Sequence, residues 1–308
     1  MRQIITILLL SVIFISATCE RPLDLQIEEP DAQLVVISNF TNDENIKVVV
    51  SKTLSILDES EMTFIEDARV SLYEEENLIQ ELIREKNSTQ VPVYTTSNFN
   101  AKTNVTYTIM VEVEGFAPVM AESSIPDKVA IQSLEVTNYY VERYPSGEED
   151  HRYNLTLGFM DPEELMNYYH LQLFHKIGTF SVTENDTVLQ NNEMRSVRFA
   201  NSVDNNFTLA HFDGGIMFED IPFDGKFVSY TFPIELRLRP DEEIVGKLLV
   251  ELRSLSEQYY RYQRSLSLQQ QNPGVPFAEP VVLYNNVVNG QGIFAGYNPA
   301  LDSISIRR

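Results

Sequence analysis

Cys19 is the only cysteine among 308 residues. With no second thiol, the chain has no internal disulfide to staple it and no thiolate cage for zinc, and cysteine catalysis has no residue within the mature body to use. Histidine is nearly as scarce. His151, His170, His175 and His211 show no metal-ligand spacing, and His170 and His175 sit five apart in an expected strand, so they face opposite ways. There is no Gly-x-Ser-x-Gly elbow, no His-Glu-x-x-His helix and no glycine-rich phosphate loop, so nothing selects a nucleophile, a catalytic zinc or a nucleotide. Lysine and arginine number 23 against 45 acidic residues, a formal charge of −22 that argues against nucleic acid or anionic lipid as a partner. Beyond the N-terminus no hydrophobic run approaches the length of a membrane span. These shortages predict a protein that is not an enzyme and carries no cofactor and no metal.

What is present begins with Met1-Arg2-Gln3, followed by fourteen mostly apolar residues from Ile4 to Ala17 and then Thr18-Cys19. A basic start, an apolar core too short to cross a bilayer and a small-residue exit predict a secretory signal over residues 1–18. A lone cysteine directly after Ser16-Ala17-Thr18 fits a bacterial lipobox, in which the thiol is acylated and becomes the first mature residue. Cys19 is therefore the expected lipidation site, with palmitate-type chains entering the bilayer. Each buried methylene contributes about 0.8 kcal/mol, so two or more chains hold a soluble body firmly. Residues 19–31 contain Pro22 and Pro30 and predict a short extended tether.

From residue 32 the pattern turns β. Leu34 to Ile37, Ile46 to Val50, Ala68 to Tyr73, Leu78 to Ile83, Val91 to Tyr94, Val105 to Val111 and Val119 to Ile125 are strand-like runs separated by turn residues. About seven strands in a hundred residues predict an immunoglobulin- or fibronectin-like sandwich over 32–126. Pro126-Asp127-Lys128 marks the boundary to a second β-rich domain, 127–308. There Ile131 to Tyr140 and Arg152 to Phe159 flank an acidic hairpin tip, and further strands are expected at Tyr169 to Lys176, Phe227 to Arg239 and Lys247 to Leu255. Asn185 to Asn206 is polar without periodicity and reads as a long loop. Asp161-Pro162-Glu163-Glu164 carries a helix-start signature of a turn or two. A longer helix is expected at about 256–269, with Ser256 as its cap and Tyr259, Tyr262 and Leu266 on one face.

Acidic triplets at Glu74 to Glu76, Glu148 to Asp150 and Asp241 to Glu243 lack the alternating pattern of a calcium loop and read as solvated turns. Tyr139, Tyr140, Tyr259 and Tyr260 are candidates for stacking on a sugar or a peptide. Gly290, Gly292 and Gly296 permit close backbone approach, while Ile293, Phe294 and Tyr297 can plug a core. That segment reads as a folding latch with the tyrosine-rich helix packed on it.

Pro276-Phe277-Ala278-Glu279-Pro280, Tyr284 to Tyr297, Leu34-Val35-Val36 and Asp67 to Tyr73 together resemble the uncharacterised lipoprotein family known as domain of unknown function 4249. Asp161-Pro162 followed by Asn167-Tyr168-Tyr169 is similar to that family's central segment. The resemblance implies an outer-membrane lipoprotein of the Bacteroidota, on the periplasmic or the surface face, often encoded beside a TonB-dependent receptor. It carries over no catalytic or ligand-binding residue. In that lineage Asp186-Thr187-Val188 and Asp302-Ser303-Ile304 resemble O-glycosylation signals at Thr187 and Ser303. The leading expectation is a lipid-anchored, non-catalytic binding or accessory subunit of a TonB-dependent transporter. A structural or adhesive surface protein is the alternative, and an envelope hydrolase comes third.

Overall fold

The computed structural model describes residues 31–42, 44–55, 62–85, 91–163, 165–182, 187–199, 207–210, 214–271 and 281–306. The expected signal, Cys19 and nearly all of the tether lie outside the described residues, as does His211. No helix among the described residues is long and apolar enough to cross a membrane. The chain is mainly β, with several sheets and a single helix among those residues.

Eight strands form the N-terminal third: β1 (Leu34–Phe40), β2 (Lys47–Lys52), β3 (Arg69–Glu74), β4 (Asn77–Glu81), β5 (Ile83–Arg84), β6 (Tyr94–Thr95), β7 (Thr106–Glu112) and β8 (Val119–Ser124). Period-two alternation puts one face of each inward. In β7, Tyr107, Ile109 and Val111 are buried, while Thr108 and Met110 reach toward solvent. The sheet β4-β3-β7-β8 lies over the sheet containing β1, β2, β6 and β5. Val36, Val48 and Val50 from one side share a core with Val70, Leu72 and Ile109 from the other. Each such side chain contributes about 1.5–3 kcal/mol by burial. The run expected at 91–94 shortens to the two residues of β6, because Pro92 has no N–H to donate to a ladder.

The remaining elements are β9 (Ile131–Arg143), β10 (Glu149–Met160), β11 (Tyr168–Val182), β12 (Thr187–Ser196), β13 (Arg198–Phe199), β14 (Thr208–Ala210), β15 (Gly215–Glu219), β16 (Phe227–Leu238), β17 (Glu243–Leu255), helix α1 (Glu257–Gln271) and β18 (Gln291–Ser305). The sheet β13-β16-β10-β9 packs on the one containing β11 and β17. Leu155, Leu157 and Phe159 meet Leu171, Leu173 and Val250 between them. Helix α1 is capped by Ser256, whose Oγ accepts from the Tyr259 N–H at 3.3 Å.

Two expectations are corrected. Residues 185–206 are not one long loop, because β12 pairs with β11 over Thr187 to Ser196. Residues 191–194 of β12 are all exposed, so no apolar alternation marks the strand. Nor does a helix start at Asp161; the described residues there form an irregular connection from β10 to β11. Its carboxylate accepts instead from the Tyr169 hydroxyl and, at 3.0 Å, from the Gly225 N–H, so it is not free to cap a helix.

Strand β18 crosses the boundary expected near residue 126. Its first six residues pair in parallel with β1, from Val35 opposite Gln291 to Phe40 opposite Gly296. The next nine pair antiparallel with β17, from Leu255 opposite Tyr297 to Lys247 opposite Ser305. A single sheet therefore runs through both halves. Phe294 enters the N-terminal core and stacks on Phe40 with centroids 4.4 Å apart. Ile293, on the opposite face, joins the cluster under α1. Gly292 sits at φ +118°, and a Cβ there would lie 2.0 Å from the Val36 carbonyl oxygen, so only glycine permits this approach.

Candidate functional site

Among the described residues strand β9 is the edge of its sheet and pairs only with β10. Thr137 stands opposite Asn154 and Tyr140 opposite Arg152, so Asn138 and Tyr139 share one partner position. This is a β-bulge, and Asn138 absorbs it at φ 55°. The extra residue inverts the alternation. Leu134 and Val136 face the core before the bulge, and Tyr139, not Tyr140, faces it afterwards. Tyr140 is 54% exposed on the outer surface.

Turned inward, the Tyr139 hydroxyl lies 2.6 Å from His151 Nδ1. His151 Nε2 lies 3.3 Å from Glu149 Oε2, and Arg143 Nε donates to Glu149 Oε1 at 2.8 Å. The carboxylate can only accept, so the proton of a neutral His151 sits on Nε2, and Nδ1 accepts from Tyr139. Arg143 holds the Glu149 carboxyl below its ordinary value, against the opposing effect of burial. A second pair lies deeper, with the Tyr153 hydroxyl 2.6 Å from His175 Nε2. Burial pushes His175 down to about 4, helped by the positive charge of Arg195 and by His151. Beside them the fully buried Asp150 accepts from Arg237 Nε at 2.8 Å and Nη2 at 3.1 Å, and from the Tyr144 hydroxyl at 2.8 Å. Arg237 is the main reason its carboxyl is held far below the usual range.

This polar end of the second sandwich backs a groove of about 450 Å³ bounded by residues 134–139 of β9 and 303–305 of β18. Half-buried Leu134, Val136 and Ile304 supply its apolar surface, and Thr137, Tyr139, Ser303 and Ser305 supply hydroxyls. Two expected site residues thus line one groove, Tyr139 and Ser303. Ser303 is half-buried, with its N–H bonded to Asp302 Oδ1 at 2.7 Å. The side chain of Thr187 lies outside the described residues.

The helix tyrosines are corrected as stacking candidates, because both are buried. Tyr259 packs on Tyr297 at 5.7 Å and takes a hydrogen bond from Arg253 at 3.2 Å. Tyr260 stacks on Tyr168 at 4.7 Å and donates to Glu219 at 2.8 Å. Their faces are committed to holding α1 on β11 and β18, so no ligand can reach them. His170, on the same side of β11, is 1% exposed with neither ring nitrogen hydrogen-bonded, and burial pushes it down to about 3.

At the sandwich's loop end, Asp161, Asp220 and Asp224 bring carboxylate oxygens within 4.8 Å of one another. They are the described residues that a divalent cation would find together. Asp161 is already satisfied by Tyr169 and Gly225, and Asp220 accepts from the Asn167 N–H at 2.6 Å, so the cluster staples two loops. Burial, with Asp220 and Asp224 adding to it, raises the Asp161 carboxyl. The stapled loops and the adjacent strand ends expose Met160, Leu165, Met166, Ile221 and Phe227. Sequence reasoning missed this grouping because Asp161 and Asp220 meet only through the fold.

The family model described as Domain of unknown function (DUF4249) matches residues 20–301. No curated protein matches the chain.

Proposed function

Since this chain belongs to the family of domain of unknown function 4249, we propose that it is a lipid-anchored envelope protein acting as a non-catalytic binding or accessory subunit of a TonB-dependent outer-membrane transporter. The observation that carries the binding role is the groove between β9 and β18, which offers apolar floor and hydroxyl groups in one place. Ligand orientation in such a site comes from a few placed polar groups over apolar surface. Tyr139 is such a group, because its hydroxyl is fixed by His151 and His151 by Glu149. The role is capture and hand-over, with no bond made or broken. The run Ile4 to Thr18 directs export and is removed, and the acylated thiol of Cys19 ties the body to the bilayer.

The test labels cells with radioactive palmitate, fractionates them and then affinity-purifies the protein in mild detergent. Label on the wild type but not on Cys19→Ala, together with recovery of a TonB-dependent receptor, supports the reading. A Cys19→Ala protein that stays membrane-bound, or a purification that yields no receptor, overturns it. The second reading, adhesion to a macromolecule, rests on the exposed apolar side chains around Ile221 and Phe227. It expects partner binding with no transport defect on deletion.

A further inference from the structure

We propose that the groove between β9 and β18 takes an extended, basic peptide by strand addition. This rests on the binding role given above and names its ligand class. Among the described residues strand β9 is hydrogen-bonded to β10 alone, so it presents an unpaired edge to the groove, and residues 303–305 of β18 form the facing wall. A strand edge is a row of N–H and C=O groups repeating at roughly 3.3 Å per residue. The ligand that satisfies such a row is another extended polypeptide, which adds as a further strand. A saccharide has no matching repeat of N–H and C=O groups.

Side-chain chemistry agrees with the backbone. Leu134, Val136 and Ile304 give the groove apolar patches at alternate positions, which suits a ligand whose apolar side chains also alternate. Exposed Glu135 and Asp302 stand at or beside the lining, so the rim attracts lysine or arginine on the ligand's other face. The bulge at Asn138 ends regular pairing, which limits the docking window on β9 to Leu134 through Thr137. The volume of about 450 Å³ lies in the range of about 300–1,000 Å³ usual for ligand sites.

The experiment uses the full-length protein in detergent and three fluorescent decapeptides read by anisotropy: five Val-Lys repeats, the same peptide N-methylated at alternate residues, and five Val-Glu repeats. Maltoheptaose serves as a competing saccharide. Strand addition expects saturable binding of the Val-Lys peptide and a loss of about tenfold or more on N-methylation, because two or more backbone hydrogen bonds disappear. It also expects weaker binding by the Glu135→Lys variant and no competition by the saccharide. Equal binding of the N-methylated peptide, or saccharide binding in place of peptide binding, overturns the proposal. The N-methyl comparison is made on unaltered protein, so a variant that fails to fold cannot decide it. Receptor recovered without peptide binding removes strand addition and leaves the accessory role standing; peptide binding without receptor does the reverse.

Discussion

Replacing Phe294 by Ala removes the ring that the C-terminal strand inserts into the N-terminal core. Phe294 is fully buried, stacks on Phe40 at 4.4 Å and belongs to the same cluster as Val36, Val48, Leu72 and Tyr107. Phe→Ala at such a site costs about 3–5 kcal/mol, from lost transfer energy and the cavity left behind. The offset stacking on Phe40 places this site in the upper half of that range, about 4 kcal/mol. Val36 and Gly292 are held backbone to backbone, so the wall cannot collapse inward to fill the space. The assay is guanidinium unfolding followed by far-ultraviolet circular dichroism, with hydrogen exchange of the β1 amides as a local probe. The expected result is a drop of about 4 kcal/mol with β1 exchange accelerated more than exchange in β10. A drop below about 1 kcal/mol, or unchanged β1 exchange, would refute the idea that residues 291–296 complete the first sandwich.

Among the described residues the His170 ring has no hydrogen-bond partner and His175 is also buried, and both have folded-state values well below the ordinary 6.5, at about 3 and about 4. The unfolded chain therefore binds protons that the folded chain does not. Stability is full above about pH 6.5 and declines as pH falls toward 4, by up to about 2.7 kcal/mol per pH unit for two sites. His170→Leu should halve that slope between pH 6 and 5 in guanidinium titrations and leave stability at pH 7 equal or higher by about 1 kcal/mol; an unchanged slope counts against it. Asp150→Ala should cost about 2 kcal/mol in urea unfolding, discounted from the about 3–5 of a broken buried pair because Arg237 is 56% exposed and stays hydrated. Tyr139→Phe should cost about 1 kcal/mol by removing the hydroxyl on His151, while Tyr140→Phe should change stability by less than about 0.5 kcal/mol. Equal effects of the two would contradict the inversion of alternation at Asn138.

The strands of the first half could be read directly from their β-branched runs, Leu34 to Ile37, Ile46 to Val50 and Val105 to Val111, even where apolar Val35, Ile37, Val49 and Met110 blur the alternation that buries Val36, Val48, Val50, Ile109 and Val111. The helix was equally legible, since Ser256 caps it and Tyr259 and Tyr262 recur at helical spacing. The latch could be read from Gly292 and Phe294, but its destination could not. Parallel pairing of β18 with β1 joins residues some 250 apart, and no local signal names the partner. Residues 191–194 of β12 have no buried face and hence no period. The groove depends on one inserted residue at Asn138, which in the sequence is an ordinary polar position within a strand. Tyr139 was singled out only with its neighbour, because the bulge that separates their roles is set by pairing with β10. The same limit applies to Asp161, whose carboxylate looks like a cap until Tyr169 and Gly225 fold against it.

The most direct test of the central claim, an acylated binding subunit held to a transporter, is quantitative mass spectrometry of what the full-length protein retains in mild detergent. The account predicts a TonB-dependent receptor recovered at close to one copy per copy of a protein whose N-terminal residue is lipidated Cys19. Intact, acylated protein eluting with no such receptor would contradict it.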